Sequence, residues 1–284
     1  MSARADQLLH HLCYRASAPF PESGSLEERF WADAAWSEEF VDIEGDAKPA
    51  PRFRTRMKML WDDACLYVGA EMEEPNVWAT LTEHDSVIFH DNDFEVFIDP
   101  DGDNHDYYEI EINALNTTWD LQLVKPYRDG GPALNEWEIP GFRSAVHIDG
   151  TLNDPTDVDR GWSVAMAIPW EALGEFARCP AAPCGGDQWR INFSRVEWDV
   201  ETAGGVTRKV PDRPEHNWVW SPQGAIDMHR PERWGVVQFE TGAPGGGVYR
   251  PDPAGPAREA LMVCYHLQRN YRARHGAWAG AAEL

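Results

Sequence analysis

The chain has 284 residues, of which 43% are hydrophobic, and it contains 14 Trp. It can therefore bury a full core in one large domain, or in one domain with an appendage. The formal charge of -23 disfavours nucleic acids and anionic membranes as partners. The sequence has no run of about 18 apolar residues, so no segment is predicted to cross a bilayer as a helix.

Short segments with alternating hydrophobic residues recur from about residue 10 to 240, and they predict an all-β fold. Their spacing is typical of an antiparallel, jelly-roll-like β-sandwich. The predicted strands, in chain order, are 12–16, 52–61, 65–71, 94–98, 107–113, 119–123, 144–148, 161–168, 188–196 and 234–239. Helical signals within this region are limited to 26–36 and 169–176.

The composition changes after Gly242 and predicts a separate C-terminal part. We expect a sandwich over 10–242, a Gly/Pro-rich linker over 243–256 and a short helical extension over 257–284. Hydrophobic residues recur in the extension at helical spacing beside a basic face that contains Arg269 and Arg272. That face can dock on the acidic body, dock on a partner protein or be solvated; docking on its own body is the expected arrangement.

The start of the chain predicts no secretory leader, because MSARADQLLHHLCYRA lacks a basic stretch followed by an apolar one. The five cysteines are odd in number and scattered, which favours a reducing compartment. We therefore expect a cytoplasmic protein unless a leader was removed. The sequence leaves the oligomeric state open.

The segment 91–113, DNDFEVFIDPDGDNHDYYEIEIN, predicts a β-hairpin with two chemically different faces. Alternation places hydrophobic side chains on the core face: Phe94, Val96, Ile98, Tyr108, Ile110 and Ile112. The other face carries groups that hydrogen-bond: Asp93, Glu95, Glu109, Glu111 and Asn113. Carboxylates on so small a patch repel each other unless a cation, Arg partners or a polyhydroxylated ligand meets them. A plain acidic solvent face is the alternative.

Six motifs occur in the order found in one known family: LWDDACLYVGAEMEEP, DNDFEVFIDPDGDNHDYYEIEIN, GWSVAMAIPWEAL, QWRINFSRVEW, NWVWSPQG and HRPERWGVVQF. Over about residues 12–240 the chain resembles the carbohydrate-binding module family 9 superfamily, and in particular its stand-alone bacterial members. The resemblance implies a β-sandwich in which aromatic side chains clamp a pyranose and polar side chains bind its hydroxyls. It implies structural calcium in some members, and a non-catalytic role in carbohydrate catabolism.

The resemblance also implies which residues bind the sugar. One clamp aromatic of the family lies six residues before the Glu of a SVEIFID-like strand; these positions are Phe89 and Glu95. The second clamp is a Trp in the segment that resembles NWVWSPQG, which places it at Trp220. The loop residue Trp78 is another candidate for the first platform. Strand aromatics are also common core residues, which is the alternative for these rings.

The chain departs from the family at Glu111, where sugar-binding members place an Arg, so a donor has become an acceptor or a cation ligand. Arg190 and Asn192 share one face of their strand and are expected to supply donors, together with Asn113 on the hairpin. An Arg opposite Glu109 or Glu111 would instead form a bidentate pair and leave a purely structural patch.

The turn DPDGDNHD carries alternate carboxylates at Asp99, Asp101 and Asp103, which can converge on a hard cation such as calcium. The pattern is not an EF-hand, and a plain hairpin turn of Asp, Pro, Gly and Asn explains the same residues.

Two other functions remain open at this point. Glu95, Glu109 and Glu111 lie on neighbouring strands at spacings that would suit the paired carboxylates of a glycoside-active enzyme. The sequence contains no GxSxG elbow, HExxH motif, P-loop or GxGxxG fingerprint that would favour another reaction class. A protein-interaction module that uses the basic helix is the second alternative. The expected partner is a mono- or oligosaccharide.

Overall fold

The computed structural model describes residues 8–179 and 182–280. Within them the chain is mostly β-structure, with short 3-10 turns and two α-helices. The strands are β1 (His10–Arg15), β2 (Val41–Asp42), β3 (Thr55–Trp61), β4 (Cys65–Glu73), β5 (Asp93–Asp99), β6 (Tyr107–Asn113), β7 (Thr118–Leu123), β8 (Ala133–Leu134), β9 (Arg143–Asp149), β10 (Gly161–Pro169), β11 (Gln188–Glu197), β12 (Val200–Ala203), β13 (Val206–Lys209), β14 (His216–Val219) and β15 (Gly235–Glu240). The helices are α1 (Trp170–Leu173) and α2 (Gly255–His275).

The strands form one curled sheet that folds over on itself as a sandwich. Its order is β8-β7-β6-β5-β11-β15-β1-β3-β4-β10-β9, with β14 and β2 attached beside β11, while β12 and β13 form a separate hairpin. All pairs are antiparallel except those of β1, which runs parallel to both β15 and β3. The sheet is therefore mixed rather than purely antiparallel. The reason is topological: long crossovers separate β1 from both neighbours, and such connections permit parallel pairing.

The ten predicted strands are all present within a few residues, whereas five short strands were not predicted. The missed strands are β2, β8, β12, β13 and β14. Each has at most four residues, too few for alternation to be recognised. The predicted helix over 26–36 is only a 3-10 turn at Arg29–Asp33, and the one over 169–176 is the single turn α1.

Three hydrophobic clusters position the sheet. The main core lies inside the curled sheet and joins residues such as Met57, Val96 and Phe193. A second cluster lies where the segment before β2 covers the outer face of β3 and β4 with Phe30 and Trp31. The third cluster lies on the outer face of β5, β6 and β7: Phe97, Tyr107, Leu121, Leu123 and Trp234. Because this outer face is partly covered, polar residues on the same strands are buried too.

The chain divides into two compact units, and within the described residues these are 8–248 and 249–280. The first unit continues six residues beyond the predicted boundary at 242. Its last residues are tied to the sandwich, since the Gly247 N–H donates to the Tyr14 hydroxyl at 3.0 Å and Gln238 Nε2 donates to the Val248 carbonyl. In the second unit, α2 ends at His275, and Gly276, with a φ of 74°, is its left-handed C-cap. Neither described helix combines the length and apolar character needed to cross a membrane.

Candidate functional site

Four carboxyl groups form one block on the outer face of β5 and β6. We call this block the acidic strand face; its members are Asp93, Glu95, Glu109 and Glu111. Strand register brings them together, because Glu95 lies directly opposite Glu111 and the chain alternates as predicted. Asp93, Glu95 and Glu111 each place a carboxylate oxygen within 4.8 Å of the others. All four side chains are buried, which the sequence did not predict for this face.

Burial and mutual repulsion raise the pKa values of these carboxyls. Burial raises the pKa of Glu95 to about 7. Burial, followed by the charge of Glu95, raises the pKa values of Asp93, Glu109 and Glu111 well above the usual range. Among the described residues, none of the four forms an ion pair, so the Arg pairing considered from the sequence does not occur there. The face thus has both donors and acceptors for a ligand's hydroxyl groups.

One edge of the acidic strand face is formed by Phe89 and its neighbours. The backbone N–H of Phe89 donates to Glu111 at 2.9 Å, which fixes the backbone of Phe89 beside the carboxyl block, and the Phe89 side chain is half-buried. The indole N–H of Trp198 donates to the Phe89 carbonyl at 2.9 Å. The Lys209 ammonium lies 3.5 Å from the centroid of the Trp198 ring. Burial lowers the pKa of Lys209, although the charges of Asp91, Glu215 and Asp93 oppose that effect.

The other edge carries Tyr127, which is 51% exposed. Its ring packs edge-on against the ring of His229, with the centroids 4.5 Å apart. Burial, followed by the negative charges of Glu109 and Glu111, raises the pKa of Tyr127 to about 12. Tyr127 was missed in the sequence, although an aromatic residue that follows Pro126 in a polar loop is a detectable signal. Trp198 and Lys209 gave no such signal, because only the β12–β13 hairpin brings Lys209 over the Trp198 ring.

Trp220 lies in the main core and offers no face to a ligand, which corrects its assignment as a stacking platform. It is 1% exposed, and its ring packs against Phe193 with the centroids 6.0 Å apart. A Cβ added at Gly235 would clash with the same ring, so the backbone of β15 closes on it. Trp78 is likewise buried, at 4% exposure. Of the three predicted platforms, only Phe89 borders the acidic strand face.

The side chains of Asn113 and Asn192 form hydrogen bonds within the protein itself. Asn113 donates to the Leu81 carbonyl and to Asp91, while its oxygen accepts the N–H groups of Leu115 and Thr117. Asn192 exchanges two hydrogen bonds with the backbone of Ser221. Both side chains are fully buried, so they shape loops rather than meet a sugar.

Arg190 lies at the far end of the same sheet face. Its Nη1 donates to the Trp234 carbonyl at 3.1 Å. In the strand register Arg190 lies opposite Asp99, whereas Glu95 lies opposite Ser194, four residues further along β11. The geometry therefore places Arg190 beside the β5–β6 turn and not among the four carboxyls.

The β5–β6 turn brings Asp99, Asp101 and Asp103 within 4.8 Å of one another through their carboxylate oxygens. Burial raises the pKa of Asp99 to about 7, even though it accepts the N–H groups of Asn104 and Gly102. Gly102 has φ +69° and Asn104 has φ 74°, as a tight turn requires. Three carboxylates suit a hard cation, while the same hydrogen bonds also account for an ordinary turn.

A curled β-sandwich with a polar strand face between aromatic edges is the architecture of a domain that binds small polar ligands. The comparison with known families makes this specific. The family model described as "Carbohydrate family 9 binding domain-like" matches residues 23–240. The chain therefore belongs to that family of carbohydrate-binding domains.

Solved structures with the same fold include sugar complexes. A candidate carbohydrate-binding protein from Bacteroides uniformis is similar over 82% of this chain and 100% of that one, with a TM-score of 0.60 and 16% identity. A family 9 carbohydrate-binding module from Caldicellulosiruptor kristjanssonii, solved with cellotriose, is similar over 85% of this chain and 100% of the module, with a TM-score of 0.52 and 15% identity. The same module was solved with glucose, and that structure has a TM-score of 0.52 and 16% identity.

Among curated sequences, the chain is similar to a segment of two bacterial glycanases. Both an exoglucanase XynX from Acetivibrio thermocellus and an endo-1,4-beta-xylanase A from Thermoanaerobacterium saccharolyticum are 29% identical over 119 residues, or 41% of this chain. The matched segment spans 9% of the first relative and 8% of the second. These matches therefore concern a short segment of each enzyme.

Proposed function

We propose that the protein binds a mono- or oligosaccharide over the acidic strand face, between Phe89 and Tyr127, without cleaving it. The observation that carries this proposal is a block of buried carboxyls with no ion-pair partner among the described residues, bordered by two accessible aromatic rings. A pyranose matches both features, because its hydroxyls hydrogen-bond to carboxyls and its C–H face stacks on aromatic rings. The sugars bound by the related module, glucose and cellotriose, are the first ligands to test.

Glu95 and Glu109 are the carboxyls that we assign to hydroxyl recognition. They keep 6% and 5% exposure, whereas Asp93 has none and Glu111 accepts the Phe89 N–H. A carboxyl whose pKa is near 7 can either donate or accept, so Glu95 adapts to the orientation of a sugar hydroxyl.

Isothermal titration calorimetry with glucose and cellotriose on the full chain tests this proposal. We expect Tyr127→Ala to weaken binding by about tenfold through lost stacking, and Glu95→Gln by a similar factor through an altered hydrogen bond. Tyr127→Phe is the matched control and keeps the stacking ring. If Tyr127→Ala and Phe89→Ala both fold and both keep the sugar affinity of the parent protein, the sugar does not bind at the acidic strand face.

Glycoside cleavage is a second candidate, favoured by the distance between Glu95 and Glu111. Their oxygens lie within 4.8 Å, close to the separation of about 5 Å found in retaining enzymes, and the pKa of Glu95 is raised as a general acid requires. Incubation of cello-oligosaccharides with the protein, followed by chromatography, decides between the two functions. Product formation that disappears in Glu95→Gln would establish an enzyme; intact ligand with measurable binding supports the non-catalytic role.

Calcium at Asp99, Asp101 and Asp103 belongs to the proposal as a structural ion of the β5–β6 turn. The donor set fits a hard cation, which would supply only charge neutralisation there. The expected result is a higher melting temperature in calcium than in EDTA, with the difference lost in Asp103→Asn. Equal melting temperatures would show that the turn needs no ion.

A further inference from the structure

A groove of about 1110 Å³ opens on the outer surface of β3, β4 and β10, on a different part of the sheet from the acidic strand face. That volume is enough for a short oligosaccharide. Arg54, which precedes β3, and Arg56 and Lys58 within β3 line the groove with positive charge. Glu71 and Glu73 of the neighbouring β4 supply negative charge, as do three carboxylates around the groove: Glu27, Asp149 and Asp159. Of these, Asp149 is paired with Arg160, which also lines the groove.

The strand register decides which of these cations is neutralised. Arg56 lies opposite Glu71, and its Nε donates to Oε1 of Glu71 at 2.8 Å. Arg54 donates to the same oxygen at 3.0 Å. Lys58, in contrast, lies opposite Gly69, which has no side chain. A Cβ at Gly69 would approach Leu26 to 2.7 Å, so close packing in the second hydrophobic cluster keeps a carboxylate out of this position.

Lys58 is consequently a buried cation without a carboxylate. It is 6% exposed, and its ammonium lies 3.9 Å from the centroid of the Trp36 ring. Among the described residues no carboxylate or other acceptor bonds to it. The aromatic ring compensates only part of the desolvation of an ammonium group. Burial, followed by the charge of Arg56, lowers the pKa of Lys58, while the charge of Glu71, with which Lys58 forms no ion pair, opposes that effect.

We propose that this groove binds an acidic oligosaccharide, with a uronate carboxylate on the Lys58 ammonium. The other lining groups select that chemistry over a more highly charged anion. Peripheral carboxylates such as Glu27 and Glu73 accept hydrogen bonds from sugar hydroxyls but repel a phosphate or a densely sulfated chain. A uronic acid carries a single negative charge, which matches the Lys58 ammonium, together with several hydroxyls, which match the peripheral carboxylates. This site is separate from the acidic strand face and from the function proposed for that face.

Calorimetry on the full chain with trigalacturonate, and with cellotriose as the neutral trisaccharide, tests the inference. We expect trigalacturonate to bind, and Lys58→Gln to weaken it about tenfold or more by removing a charge-assisted hydrogen bond. Cellotriose binding should be unchanged in Lys58→Gln. Lys48→Gln is the matched control, because Lys48 is an exposed lysine that pairs with Glu44 outside the groove. Higher salt should weaken trigalacturonate binding more than cellotriose binding.

A second variant keeps the test decisive if Lys58→Gln does not fold. Glu27→Gln removes an exposed negative charge from the rim of the groove, and we expect it to strengthen trigalacturonate binding. The inference is overturned if trigalacturonate gives no heat, if Lys58→Gln and Glu27→Gln both leave its affinity unchanged, or if cellotriose displaces it competitively. If the parent chain binds trigalacturonate but gives no heat with cellotriose, the result would instead contradict the function proposed for the acidic strand face.

Discussion

Nη2 of Arg195 lies 2.9 Å from Oε2 of Glu74, and both side chains are buried inside the sandwich. The same nitrogen also contacts Glu197 at 2.8 Å, and Asn92 donates to both carboxylates. Burial, followed by the charge of Glu197, raises the pKa of Glu74 to about 8, while Arg195 opposes that rise. The Arg195 charge is therefore needed wherever these carboxylates ionise.

Removal of Arg195 should destabilise the fold strongly. Arg195→Met leaves Glu74 buried without a cation, while Glu197 keeps only Arg52, whose Nη2 lies 3.0 Å from Oε1 of Glu197. We expect the free energy of unfolding to fall by about 3–5 kcal/mol. Urea denaturation at neutral pH measures this change. Arg208→Met is the control, because the exposed Arg208–Glu201 pair contributes less than about 1 kcal/mol. A loss no larger than that of the control would show that the cluster does not stabilise the sandwich.

Replacement of the Trp220 side chain should lower the stability of the fold without a direct effect on ligand binding. The ring is buried among Phe193, His11 and the backbone of Gly235, so Trp220→Ala leaves a cavity and should lower the free energy of unfolding by about 3–5 kcal/mol. Thermal or urea unfolding checks the stability, and calorimetry checks binding in Trp220→Phe, which keeps most of the volume. If the Trp220→Phe variant lost sugar affinity while it retained its stability, Trp220 would have to be a sugar-binding residue.

The acidic strand face should make the protein more stable at mildly acidic pH than at alkaline pH. The pKa of Glu95 is about 7 in the folded protein and 4.5 as its ordinary value, so the folded state binds more protons between these values. The free energy of unfolding therefore falls as pH rises through this window, by about 3 kcal/mol for Glu95 at 1.36 kcal/mol for each pH unit between the two pKa values. The other three carboxyls shift in the same direction.

Melting temperatures between pH 5 and pH 8.5 measure this dependence. Glu95→Gln should flatten the curve and raise the melting temperature at the alkaline end, whereas Glu83→Gln, at an exposed loop position, should leave it unchanged. A Glu95→Gln variant with the same pH profile as the parent protein would contradict the raised pKa of Glu95.

The boundary of the first unit predicts different effects for two truncations. A chain that ends at Val248 keeps the bonds from Gly247 to Tyr14 and from Gln238 to the Val248 carbonyl. A chain that ends at Gly242 loses both, and we expect it to be less stable than the longer truncation by about 1–3 kcal/mol. Urea unfolding of the two fragments provides the comparison. Equal stability would place the boundary at 242, as the sequence composition suggested.

The sequence by itself determined the β-sandwich, the hairpin of β5 and β6 and the family. These follow from local information: alternation with period two assigns side chains to the two faces of a strand, and the ordered motifs extend over most of the chain. The prediction that Glu95 and Glu111 share a face was correct for that reason, since strand geometry alone fixes it.

Only the tertiary structure decided which faces are open. Phe89 and Trp220 carry equivalent signals in the sequence, yet β15 closes over Trp220 at Gly235 while Phe89 remains at an edge. The charges of Glu109 and Glu111 act on Tyr127 only because the loop after β7 brings its side chain towards that part of the sheet. Lys58 lacks a carboxylate because Gly69 stands opposite it in the register. Burial and cross-strand neighbours depend on contacts between residues far apart in the chain, and a local pattern contains no information about them.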